Sequence, residues 1–71
     1  MKELLYPKTY ATVTHRSGTQ FQALTDNGEL LTLNVSWRNG HGHHQDIQEG
    51  LRIKIYKRPN VHHLEFRFLG S

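Results

Sequence analysis

The sequence predicts an all-β chain folded as a small five-stranded antiparallel barrel. Three observations predict it. Apolar residues recur with a period of two over most of the chain. The pair Asn27-Gly28 separates two such runs, as in a type I′ hairpin, whose two central residues both need positive φ. The one long stretch without alternation, 36–48, holds Gly40 and Gly42, which break a helix. A chain of 71 residues is one domain. So short a domain buries only roughly 60% of its unfolded surface. It has no cysteine with which to staple itself. A sheet closed on itself lets every strand feed one core and leaves no long edge exposed.

Each element follows from its residues. Positions 10–15 are rich in β-branched side chains and read as the first strand, with Ala11 and Val13 on the inner face. Arg16-Ser17-Gly18-Thr19 is a turn cluster. Positions 20–25 form the second strand, with Phe21 and Ala23 inward. After the Asn-Gly turn, 29–35 is the third strand, with Leu31, Leu33 and Val35 inward, while Leu24 and Leu30 pair on the opposite face. The connection that follows is irregular, with room for one short helical turn at 45–48. From Gly50, 51–57 alternates cleanly, with Leu51, Ile53 and Ile55 inward and Arg52, Lys54 and Tyr56 outward. Arg58-Pro59-Asn60 is a loop. Positions 63–69 alternate again, with Leu64, Phe66 and Phe68 inward and His63, Glu65 and Arg67 outward. The expected domain is the whole chain, 1–71, with a tail over 1–9 and the barrel over about 10–69. Five strands with the long connection between the third and fourth are the pattern of the OB-fold. A five-stranded SH3-like barrel is the alternative, although its longest loop usually falls earlier.

The order of the motifs resembles a known family. Ala11-Thr12-Val13, Phe21-x-Ala23, Asp26-Asn27-Gly28-Glu29-Leu30-Leu31-Thr32 and Val35-Ser36 follow the opening of bacterial translation initiation factor 1, a member of the S1-like OB-fold family. Ile47-x-x-Gly50, Ile53-x-Ile55 and Phe66-Arg67 continue in register with its second half. The likeness spans roughly residues 10–68 and is that of a diverged relative. The family's basic Ser-Gly-Lys-Met-Arg-Lys loop is replaced here by Ser36-Trp37-Arg38-Asn39-Gly40-His41, and its Gly-Asp before strand four by Gly50-Leu51. The resemblance implies an OB barrel that binds structured RNA, in that family on the small ribosomal subunit.

Charge points the same way. Nine Lys and Arg against six Asp and Glu leave a net charge of +3, which suits an acidic partner. In an OB barrel the face of strands two and three, rimmed by loops, takes nucleic acid. The residues expected to bind RNA are Arg16, Trp37, Arg38, His41, His43, His44, Lys57 and Arg58. Cations there neutralise phosphates with release of counterions. A loop Trp stacks on an unpaired base, worth roughly 1–3 kcal/mol, or else plugs one end of the barrel. Arg52, Lys54 and Arg67 read as solvated strand faces. The loop over 36–48 is expected to be mobile until a partner orders it, because Trp37 is almost its only apolar anchor.

Other chemistries find little footing. His41-x-His43-His44-x-Asp46 sets three imidazoles and a carboxylate within six residues, a donor set that suits zinc or nickel. The spacing matches no recurrent zinc pattern, so no metal and no cofactor is expected; these histidines are assigned to hydrogen bonding and stacking on RNA, with added charge at mildly acid pH. Neither Ser17 nor Ser36 sits in a nucleophile-elbow pattern, no glycine loop resembles a phosphate-binding loop, and the carboxylates are scattered. The reading is a non-enzymatic, monomeric, cytoplasmic RNA-binding protein with no membrane partner. Its rival is a protein-interaction module on the same fold, docking on a larger machine through Trp37, Leu24 and Leu30.

Overall fold

The structure is a computed structural model and describes residues 9–40 and 42–69. Five strands follow in chain order: β1 (Thr9–Ser17), β2 (Gln20–Thr25), β3 (Leu30–Asn34), β4 (Arg52–Tyr56) and β5 (Glu65–Phe68). They form one antiparallel sheet in the order β3-β2-β1-β4-β5, so β1 is shared between the hairpin partner β2 and the distant β4. A parallel bridge between Arg38, just past β3, and Phe66 in β5 curls the two ends of the sheet together. The Asn39 amide secures it by donating to the Phe66 carbonyl at 2.8 Å. This is the all-β OB-type barrel that the sequence predicts, with the long connection between β3 and β4. Among the described residues no helix is long and apolar enough to cross a membrane.

A bulge in β1 lets one strand serve both halves. The register with β2 slips between Val13 and His15, so Thr14 and His15 together oppose Gln22. Before the bulge, 9–12 also pairs with β4; after it, only β2 remains as a partner. The slip also changes parity. Strict alternation would put His15 inward with Ala11 and Val13, but the bulge leaves His15 exposed and sets Arg16 opposite the buried Phe21. β1 accordingly runs past the expected turn, which shrinks to Gly18-Thr19, with Gly18 at φ +63 in the manner of a type II′ hairpin.

The second hairpin keeps its place but not its turn type. Gly28 alone takes positive φ, at +97, and Asn27 does not. The Thr25 amide donates to the Glu29 carbonyl at 2.8 Å, and the Gly28 amide to the Thr25 carbonyl at 2.9 Å. The loop is therefore three residues closed by a left-handed glycine bulge rather than a two-residue type I′ turn. Thr25 is buried, and its hydroxyl accepts the Glu29 amide at 2.8 Å, which rewards the longer form.

The core consists of Ala11, Val13, Phe21, Ala23, Leu33, Val35, Ile47, Ile53, Ile55 and Phe66. Phe21 and Phe66 meet edge to face at 5.0 Å in its middle, a contact worth about 0.5–1.5 kcal/mol beyond burial. Leu31, Leu64 and Phe68, expected inside, are half-buried against it, with Trp37 and Leu51. Ile47 is the unexpected member. It belongs to the 36–48 connection yet has no accessible surface. The premise that Trp37 is almost the only apolar anchor of this segment is therefore incorrect. Gly42 adds a second anchor: at φ +106, a Cβ there would lie 2.6 Å from the Phe68 ring. The expected turn at 45–48 is a 3-10 turn at His44–Asp46.

Ile47→Ala should cost about 2–5 kcal/mol, as much as a substitution within a strand. Urea unfolding measures it. A loss below about 0.5 kcal/mol, the size expected at a surface site, would mean that the connection does not share the core.

Candidate functional site

The expected RNA-binding residues do not form one face. Arg16 caps the end of the barrel where the β1–β2 turn meets the long connection. Its Nε donates to the Gly18 carbonyl at 3.0 Å, and its Nη1 to the carbonyls of His44 and, at 3.2 Å, Ile47. It thus fastens the carbonyl side of the buried Ile47 to the strand that the bulge turned inward. His43 and His44 are exposed beside this clamp, and His41 lies outside the described residues. No three His, Asp or Glu side chains converge on a common point among the described residues.

The second group gathers where β3 meets β5. A 3-10 turn over Val35–Trp37 begins at Asn34, whose side chain accepts the Ser36 amide at 2.9 Å. That turn lays Trp37 against the core and under His63, the two rings stacked at 4.7 Å and nearly parallel. His63 was expected to face outward from β5. It precedes the strand instead, and its Nδ1 lies 2.8 Å from the Leu64 carbonyl. One face of the indole is therefore occupied. Arg58 pairs with Glu65 at 2.9 Å, and Glu65 is buried. Asn39 bridges the Tyr56 hydroxyl at 2.7 Å and the Glu65 carboxylate at 3.4 Å. Lys57 donates to the carbonyls of Arg58 and Val61, tying the β4–β5 loop to itself. Arg38 donates to the Gly40 carbonyl at 3.1 Å, while its buried Nε has no partner among the described residues.

Of the three cations read as solvated strand face, Arg52 alone is paired among the described residues. It holds Asp26 through two bonds of 2.8 and 3.0 Å and reaches the Thr12 hydroxyl at 2.9 Å. Hydrogen bonding from Arg52, helped by its charge, holds the Asp26 carboxyl below its ordinary value, and Asp26 raises Arg52 in turn.

A groove that sequence reasoning missed lies on the outer face of β1, β2 and β3. The register aligns His15 with Gln22 and Thr32, and Ser17 with Gln20 and Asn34. His15, Ser17, Gln20, Gln22 and Thr32, with Phe21, line an open concavity of about 280 Å³. Its walls are amides, hydroxyls and one imidazole. Leu24 and Leu30 pair just beyond it, 43% and 55% exposed. For Gln20, Gln22 and Thr32 the signal was in the alternation, as outward neighbours of Phe21, Ala23, Leu31 and Leu33; His15 and Ser17 join them only because the bulge shifts the parity of β1.

A scan of family models, and searches of the curated proteins and of the solved structures, found no match to this chain.

Two outcomes follow from this geometry. Because the folded carboxyl of Asp26 is depressed, its pair with Arg52 adds stability above the unfolded value of about 3.9 and loses it as pH falls through the lower folded value. The stability gap between wild type and Asp26→Asn, followed by unfolding from pH ~6 to ~2, should therefore close at the acid end. A gap of constant size would rule the pair out as its source. Arg58→Ala strips Glu65 of its ion pair and should destabilise by about 1–3 kcal/mol. Lys57→Ala, which frees only loop carbonyls, should cost less, and the two melting curves compare them directly.

Proposed function

We propose that this chain is a non-catalytic, cytoplasmic RNA-binding barrel that receives unpaired nucleotides of a structured RNA in the β1–β3 groove. The groove carries the reading. It lies on the face that OB barrels use for oligonucleotides, and its wall of Gln20, Gln22, Ser17, Thr32 and His15 offers donors and acceptors suited to base edges and ribose hydroxyls. The charge of Arg16, Arg38 and Lys57 rests on neutral carbonyls rather than carboxylates, so it still attracts phosphate at longer range. Kinship with translation initiation factor 1, and with it a site on the small ribosomal subunit, belongs to the same proposal and rests on motif order. Trp37 supports the barrel in this reading and does not stack on a base.

One observation favours the rival. Leu24 and Leu30 form an exposed cross-strand apolar pair beside the groove, the kind of feature that anchors a protein partner.

Fluorescence anisotropy with single-stranded and hairpin RNA, over a range of salt, tests the proposal. Affinity should fall steeply with salt. His15→Ala and Gln22→Ala should each weaken binding several-fold with little change in melting temperature. Binding that ignores both variants would remove the groove from the account. Absence of RNA binding, together with capture of a protein that Leu24→Glu abolishes, would establish the rival.

A further inference from the structure

Lys54 and Arg67 are directly opposed across β4 and β5, both on the outer face. Like charges so placed destabilise a sheet. Among the described residues no carboxylate offsets them. Two residues back on β4, Arg52 has taken Asp26; two residues back on β5, Glu65 has been taken by Arg58 and Asn39. No carboxylate among the described residues pairs with Lys54 or Arg67. A third cation reaches the same spot. The Arg67 guanidinium lies over Gly40, its Nε 3.4 Å from where a Cβ would stand, and Arg38 donates to the Gly40 carbonyl at 3.1 Å. Gly40, at φ +95 where a side chain would be strained, thus has both guanidinium groups against it. Three cations thus border one stretch of surface with no acid paired to Lys54 or Arg67 among the described residues.

We propose that Arg38, Lys54 and Arg67 form an oxyanion site for a phosphate group on the outer face of β4–β5, distinct from the β1–β3 groove. Arginine offers the planar fork that phosphate oxygens match, and Lys54 supplies a point charge beside it. The site needs only a phosphate, free or within a phosphodiester, so it stands apart from the RNA reading. If the phosphate belongs to RNA, the strand crosses the closing bridge from β3 to β5.

The test titrates inorganic tripolyphosphate at low salt and follows backbone amide shifts. Saturable shifts should centre on Lys54, Arg67 and 38–40. Lys54→Gln with Arg67→Gln should weaken binding at least tenfold, Arg67→Lys should restore part of it, and Gln22→Ala should leave it unchanged. Each single Gln variant should melt no lower than wild type, since it relieves repulsion. No saturable shift, shifts spread evenly over all basic residues, or full binding by the double variant overturns the proposal. A second arm identifies the source. If RNA supplies the phosphate, the double variant lowers the salt slope for RNA by about one. An unchanged slope with tripolyphosphate binding lost assigns the site to a free phosphate compound. Tripolyphosphate binding by a protein that ignores RNA would leave this site standing and sink the RNA reading instead.

Discussion

The contact on which this small barrel depends is the join between the end of β3 and β5, made by Arg38 and Asn39 against Phe66. Without it the five strands are an open curled sheet with two unprotected edges. With it, Phe66 sits beneath the seam and against Phe21, and the core has a far wall. The same join places Asn39 over Glu65, so that a carboxylate on the outer face of β5 becomes buried and takes Arg58 as its partner. It also brings Trp37 under His63. One backbone contact thus orders the β4–β5 loop, the turn after β3 and the start of the long connection together.

The far end of that connection is held by a different device. The bulge at Thr14 turns Arg16 toward the end of the barrel, where its guanidinium collects the carbonyls of Gly18, His44 and Ile47. Ile47 fills the core from the loop side. The segment over 36–48 is therefore pinned near both ends and at Gly42 against Phe68, and it acts as a lid of the barrel. The two cations nearest to it in function, Arg16 and Arg38, spend their nearest donors on backbone carbonyls. The proposed recognition surfaces lie elsewhere: the polar groove of β1–β3, on the face of strands two and three that the OB pattern singles out, and the outer face of β4–β5, whose cations read as plain strand surface.

Much of the fold was legible in the residues. Alternation in β1, β2, β4 and β5 identified Val13, Phe21, Ala23, Ile53, Ile55 and Phe66 as inward, and all are buried. What stayed hidden were features set by partners distant in sequence or by a single slip in register. Nothing local marks Thr14 as a bulge, so the inward turn of Arg16 could not be read. Thr25 pairs with Glu29 through a buried hydroxyl, which selects a three-residue loop where Asn27-Gly28 alone suggests two. Ile47 is one apolar residue in a polar run, and only its position ahead of Gly50 hinted at a core role. The candidate site was less legible than the fold. Arg16, Lys57 and Arg58 read as free cations because their acceptors, the loop carbonyls and Glu65, enter only once the chain is folded.

Hydrogen exchange at the Asn39 amide tests the closure most directly, because that proton belongs to the 36–48 connection yet is held by Phe66. The account predicts protection close to that of the β1 and β4 amides, lost only on global unfolding. Exchange at the rate of an unprotected loop amide, with the β1 amides still protected, would contradict it and would return this connection to the role of a free recognition loop.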